Sequence, residues 1–316
     1  MMEWTDRHCR YLHRLYAPQA LLYTEMIVAA AIVRGNANRL LSFDSREQPV
    51  ALQLGGCDPQ ELAAATRIGT EAGYSEINLN VGCPSDRVKN GSFGACLMLK
   101  PALVAECVHA MRAATHVPVT VKCRIGIDHR EDYEFFSEFA ACVDDAGVDA
   151  LIVHARNAVL GGLSPKENRE IPPLKYDFVH RLKRERPALA VILNGGLTVA
   201  EDIAAHLAAG LDGVMLGRAA YHRPELLAEL YRLLVDPDAP LPEPWDIVGQ
   251  MVRYAQERMV DGVRLHSITR HMHGIMAGRE GARAWRRFLS GIAGAAQARP
   301  EMLYSALPIL KSGLAA

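Results

Sequence analysis

The chain lacks the features that mark a membrane, metal or secreted protein. No apolar run reaches the ~18 residues of a bilayer-spanning helix, and no secretory h-region is visible, so neither export nor a membrane span is expected. Seven cysteines are an odd number without a CxxC pair or zinc-ligand spacing. No disulfide framework and no metal are therefore expected, and reduced thiols in a cytoplasmic protein are the simplest account. No GxGxxG fingerprint follows a strand-like run, which argues against a tightly bound NAD. Net charge is only −1 with pI near 6.9. A globally basic nucleic-acid binder is thus not indicated, while a local basic patch stays open.

What is present is apolar and regularly punctuated. Half of the 316 residues are hydrophobic, enough for one large domain and a smaller one. Strand-like runs occur at 21–28, 50–56, 76–84, 118–126, 150–156, 190–196 and 213–219. Helical patterns lie between most of them, at 59–73, 100–115, 132–147 and 198–210, the last with Thr198 and Glu201 spaced as a capping box. Buried strands alternating with helices mean a parallel α/β fold. A closed (β/α)8 TIM barrel has one strand more than the seven visible here, and the missing first strand is expected before Met1. Thr5 or Asp6 then caps the first helix. A doubly wound open sheet, which needs no eighth strand, is the alternative. The Pro-rich stretch DPDAPLPEP marks a linker, giving a barrel over 1–235, a linker at 236–244 and a helical domain at 245–316. Residues 298–316 read as a short helix without an assigned role.

Chemistry gathers at strand ends. In EINLNVGCP (76–84), Ile77 and Leu79 alternate with Asn78 and Asn80, the pattern of a half-buried strand. Pro84 ends it and leaves Cys83 at the C-terminal end, where barrel enzymes place catalytic groups. The other reading of Cys83 is an inert buried thiol. Asn194, Gly195 and Gly196 follow the seventh strand, counted with the missing one as first, and Gly217 and Arg218 follow the eighth. Those are the phosphate loops of this barrel class, although a Gly-Gly pair also makes a plain turn. Gln53, Lys122 and His154 lie on strands near their C-termini. A lysine between Val121 and Cys123 is costly to bury unpaired. Together these groups suit a planar, anionic ligand with a phosphate tail, such as flavin mononucleotide.

At this level of detail the chain resembles a known family. WTDRHCR (4–10), LLYTEM (21–26), ALQLGG (51–56), EINLNVGCPSDRV (76–88), VTVKCRIGID (119–128), SPKENREIPPL (164–174), NGG (194–196) and GR (217–218) are similar to the flavin-dependent tRNA-dihydrouridine synthases. SPKENREIPPL and ITRHMHG (268–274) resemble the subfamily acting at positions 20 and 20a. The resemblance implies an FMN-bearing barrel, a small helical domain, and NADPH-dependent reduction of the uridine C5=C6 bond in the tRNA D-loop. It implies Cys83 as proton donor to C5. Gln53, Lys122 and His154 would contact the flavin, and Asn194, Gly195, Gly196, Gly217 and Arg218 its phosphate. Met1, Met2 and Glu3 fall at flavin-contacting positions, and Asn80 beside the uridine. Cys123 stands where threonine is expected. Lys166 and Arg169 would contact tRNA.

The C-terminal region adds a compositional argument. Residues 245–297 hold eight arginines against four acids, and Arg283 and Arg286 flank Trp285 within the arginine cluster 279–287. A solvated helix face is the ordinary meaning of such a pattern; phosphate binding is the other. Alternatives to tRNA reduction are a dihydroorotate-dehydrogenase-like enzyme acting on a free pyrimidine and an inactive tRNA-binding protein. A monomer is expected.

Overall fold

A computed structural model describes residues 1–85, 93–293 and 298–311. Residues 86–88 of the NVGCPSDRV motif and the last five of the chain lie outside them. The chain divides into two compact units. The first comprises Met1–Met2, Leu21–Leu197 and Glu201–Leu216; the second comprises Glu3–Ala20, Thr198–Ala200 and Gly217–Ala316.

The first unit is built on one sheet of seven strands in sequence order. They are β1 (Leu22–Val28), β2 (Val50–Gly55), β3 (Glu76–Val81), β4 (Val119–Arg124), β5 (Ala150–His154), β6 (Val191–Asn194) and β7 (Gly213–Met215). Every neighbouring pair is parallel. A doubly wound sheet reverses its strand order at a switch point, whereas barrel winding adds each strand on the same side. The unbroken order therefore excludes the open-sheet alternative and leaves the TIM-barrel-like α/β fold. The intervening helices start where their caps place them. Asp58 accepts from the N–H groups of Gln60 and Glu61 ahead of Pro59–Glu71, and Asp132 from that of Phe135 ahead of Tyr133–Asp145.

Register divides the sheet into two chemically distinct faces, because paired residues of a parallel sheet point to the same side. One face carries Leu52, Leu54, Ile77, Leu79, Val81, Val121, Cys123, Leu151, Val153 and Leu193, all fully buried. The helix Pro59–Glu71 closes onto this face at Gly69, where a Cβ would lie 2.5 Å from Leu52 and 3.1 Å from Ile77. The other face is polar in successive rows. Gln53, Asn78 and Thr120 pair in one row, Asn80 and Lys122 in the next, and Arg124, His154 and Asn194 beyond them. The half-buried expectation for β3 is thereby corrected. All of its residues are buried, because its asparagines turn into a hydrogen-bonded interior instead of water. The strand also ends at Val81, two residues earlier than Cys83.

The second unit is helical. Tyr11, Leu12 and Tyr16 of the helix Arg7–Tyr16 share a core with Tyr254, Met251, Trp285 and Leu303. The rings of Tyr11 and Tyr254 stack at 4.0 Å. Asp6 caps the first helix through the N–H groups of His8 and Cys9, and its other oxygen meets Arg270 at 2.7 Å and His271 at 3.0 Å. Burial alone would raise this carboxyl. The His271 hydrogen bond and charge, with the Cys9 N–H and Arg270, outweigh it and hold the group well below the usual carboxylate range. Asp6→Ala should cost about 2–4 kcal/mol at pH 7, measured by urea unfolding. Because the folded-state pKa is depressed, this stabilisation is present above about pH 4 and is lost on further acidification. The difference between wild type and variant should shrink accordingly. No described helix is long and apolar enough to cross a membrane, and the described residues hold no cluster of metal ligands.

Candidate active site

The C-terminal ends of β3–β6 bring most of the expected groups of the first unit together. Lys122 donates to Asn194 Oδ1 at 3.0 Å, and Asn194 Nδ2 donates to the Met215 carbonyl at 2.7 Å. Lys122 thus reaches across the interior from β4 to β6, and Asn194 carries the contact on to β7. The Lys122 side chain is half-buried. Burial, reinforced by the Arg124 guanidinium, pulls the ammonium down to about 8. His154 is buried, and burial followed by the charges of Arg124, Lys122, Arg156 and Arg169 holds its imidazole well below its ordinary value. The ring is therefore neutral at pH 7 and offers one N–H and one lone pair.

Gly195 and Gly196 both adopt positive φ, +107° and +72°. A side chain on Gly195 would strike the His154 ring at 2.5 Å, and one on Gly196 would strike Leu174 at 2.5 Å and the Tyr176 hydroxyl at 2.6 Å. Only glycine gives this loop both its backbone sense and its approach to the imidazole. The turn is pinned by Tyr176, whose hydroxyl donates to the Gly195 carbonyl at 2.8 Å.

Cys83 sits half-buried on the loop after β3. Its backbone N–H and that of Gly82 donate to Asn80 Oδ1 at 3.0 and 3.1 Å, and its carbonyl accepts from Ala95 at 2.9 Å. The thiol is 3.5 Å from the Ser85 hydroxyl. Arg124 bonds the carbonyl of the preceding residue, Gly82, and Lys122 pairs in the sheet with Asn80, the residue that holds the Cys83 loop. Gln53 is buried deeper, donating to Asn78 and accepting from Asn80.

Two groups that sequence reasoning passed over complete the site. Arg124 is buried and donates to the carbonyls of Gly82 at 3.2 Å, Asn157 at 3.0 Å and Asn168 at 2.8 Å. One guanidinium thereby ties the Cys83 loop to the segments after β5. Asn168, fully buried, closes the second tie through reciprocal bonds with the backbone of Val159. The signal for Arg124 was its period-2 spacing from Thr120 and Lys122 on one strand. The other group is the hydrogen-bonded set in which Asn78 donates to Thr120 and Thr120 to Glu76.

The remaining expected residues are distributed as follows. Lys166 is exposed and Arg169 half-buried, on and beside the 3-10 turn Glu167–Arg169 that Asn168 anchors. Met1 and Met2 belong to the first unit; Glu3, with φ of 63°, Gly217 and Arg218 belong to the second. Gly217 precedes the short helix Arg218–His222. Arg283 and Arg286 are exposed on the helix Ala282–Ala293. Within the arginine cluster, Trp285 is fully buried and its indole N–H donates to the Met272 carbonyl at 2.8 Å, which makes it a core residue. Arg279 is ion-paired with Glu225 and Glu243.

The donor set of the first unit fits a planar ring rich in acceptors and bearing negative charge. It offers an ammonium of lowered pKa and a neutral imidazole, with further cations around them, beside a thiol on a fixed loop.

Comparison with known proteins bears on that chemistry. The family profile described as Dihydrouridine synthase (Dus) matches residues 1–309. The chain is 55% identical over 291 residues to a tRNA-dihydrouridine(20/20a) synthase of Xanthomonas axonopodis pv. citri, covering 92% of this chain and 86% of that protein. It is 50% identical over 312 residues to a protein of the same name from Pasteurella multocida, covering 99% and 95%. Against that of Synechocystis sp. it is 52% identical over 311 residues, covering 98% and 93%.

Proposed function

Since the chain belongs to the dihydrouridine synthase family, whose enzymes are flavin-dependent oxidoreductases, we propose that it reduces uridine to 5,6-dihydrouridine at D-loop positions 20 and 20a of tRNA, with FMN as cofactor and NADPH as reductant. The observation that carries this reading is the thiol of Cys83 on a pinned loop, beside the cationic, neutral-imidazole end of the interior. Reduced FMN, when bound, supplies the hydride that adds to uracil C6.

The chain's own residues do the rest. Lys122, Gln53 and His154 orient the isoalloxazine ring. Asn194, Gly195, Gly196, Gly217 and Arg218 hold the phosphate end, with Met1, Met2 and Glu3 beside the cofactor. Asn80 receives the uridine. Hydride addition at C6 moves negative charge onto the C4 carbonyl oxygen, where preorganised donors stabilise it. Cys83 delivers its thiol proton to C5. A thiol is a far stronger acid than a serine hydroxyl, which suits it to give up a proton here. The target base leaves its stack to reach this end of the barrel, as bases do in enzymes that act on them.

The helical segment 245–316 and the loop bearing Lys166 and Arg169 take the tRNA, with Arg283 and Arg286 on its phosphates. The protein acts as a monomer in the cytoplasm. Replacing Arg283 and Arg286 together by alanine should weaken tRNA binding at low salt and reduce the slope of log K against log salt by about 1.5. A slope equal to that of wild type places the RNA on another surface. The overall reading is tested by supplying FMN and NADPH with either a tRNA transcript or free uridine. Reduction confined to the tRNA supports it, and reduction of both equally favours an enzyme of free pyrimidines.

A further inference from the structure

Beneath Cys83 runs a chain of five side chains whose hydrogen bonds all point one way. Glu76 Oε1 accepts from the hydroxyls of Tyr23 and Thr120, both at 2.6 Å. Thr120 has one proton and spends it on Glu76, so its oxygen faces its next neighbour as an acceptor. Asn78 answers with Nδ2 at 2.8 Å. That turns Asn78 Oδ1 toward Gln53, whose Nε2 donates to it at 2.9 Å. Gln53 Oε1 is then left to accept from Asn80 Nδ2 at 2.8 Å. The far oxygen of the chain, Asn80 Oδ1, meets the backbone N–H groups of Gly82 and Cys83.

An amide has two nearly isosteric ends, and nothing in its shape decides which end faces where. Here the decision is made once, at an oxygen that accepts whether or not Glu76 carries a proton on its other oxygen. It is inherited bond by bond across β4, β3 and β2. Reversal of Asn80 would set its NH2 group against two N–H donors and release the Cys83 loop. Glu76, Asn78 and Asn80 are all buried, so water does not substitute freely for a lost partner.

We propose that Glu76 and Thr120 are positioning residues for Cys83, fixing the sense of an amide chain that ends on the Cys83 backbone. This rests on the reading of Cys83 as the proton donor. Its function is to hold the loop carrying the thiol in one register while the base and cofactor bind and leave above it.

The test compares Thr120→Val, which keeps shape and removes the hydroxyl, with Thr120→Ser, which keeps the hydroxyl, in the full-length protein. The first readout needs no RNA and no turnover: the rate at which iodoacetamide alkylates Cys83, followed by peptide mass spectrometry. The second is the split between kcat and KM for tRNA reduction. Thr120→Val should change the alkylation rate of Cys83 about threefold or more and lower kcat about tenfold, with KM for tRNA within about twofold of wild type. Thr120→Ser should restore both. A folded Thr120→Val protein with wild-type alkylation and kcat would overturn the proposal, even if Cys83→Ala abolishes turnover. Full turnover in Cys83→Ala would instead remove the donor reading, and the alkylation rates would still decide whether the chain positions the loop. If Thr120→Val does not fold, Thr120→Ala reads the same loss without added bulk.

Discussion

Cys83→Ala is expected to lower dihydrouridine formation by about 10²–10⁴-fold while the protein keeps its flavin. The size follows from the task. Once hydride has reached C6, the product forms only when C5 receives a proton, and general acid catalysis contributes about that factor. Cofactor retention follows from geometry. The Cys83 loop is held through its backbone, by Asn80 and Ala95, and those bonds survive loss of the thiol. Lys122, His154 and Asn194 lie on strands that the substitution does not touch. Rapid mixing of reduced variant with tRNA, followed at the flavin absorbance, separates the two steps. Cys83→Ser should fall between alanine and wild type. Unchanged turnover in Cys83→Ala would remove the thiol from the mechanism.

Lys122→Met is expected to weaken flavin binding by about 10–100-fold, the range for loss of a charged hydrogen bond. It should also change the pH dependence. The wild-type ammonium, pulled down to about 8 by burial and then by Arg124, loses its proton in an accessible range. Affinity of the flavin-free protein for FMN should therefore fall as pH rises through about 8, and the methionine variant should lack that fall. Stability moves in the opposite direction. A lysine whose folded-state pKa is depressed binds fewer protons in the native state than in the unfolded state, between about 8 and its ordinary 10.5. Its presence costs stability at pH 7, and the cost is relieved as pH rises through that window. Lys122→Met should thus be more stable than wild type at pH 7 in the absence of cofactor, as measured by chemical denaturation. A variant that binds FMN as wild type does, with the same pH profile, would take Lys122 out of the cofactor site.

Why some of this was legible and some was not comes down to range. The seven strands stand out because each is a short apolar run closed by a turn residue, which is local information. Helix starts at Asp6, Asp58 and Asp132 are local too, since a cap needs only its own first turn. Register is not local. Asn78 and Asn80 alternate with apolar neighbours, which ordinarily marks a solvent face. Only pairing with Gln53 and Thr120 turns that face inward. The same gap hid Arg124, whose three carbonyl partners come from distant segments. Trp285 is placed by its helix, whose periodicity sets it on the face opposite Arg283 and Arg287, with its indole N–H on the Met272 carbonyl. The helix Arg7–Tyr16 shows a further limit. Its pattern announces an amphipathic helix, but the Tyr11–Tyr254 stack that seats it among the C-terminal helices joins residues far apart in sequence.

The most direct test of the central claim is to incubate the purified protein with FMN, NADPH and an unmodified tRNA transcript, then map dihydrouridine by nucleotide-resolved mass spectrometry. The account predicts new dihydrouridine at positions 20 and 20a with wild-type protein and almost none with Cys83→Ala. Transcript left unreduced by flavin-loaded wild-type protein, or reduced equally by the Cys83→Ala variant, would contradict it.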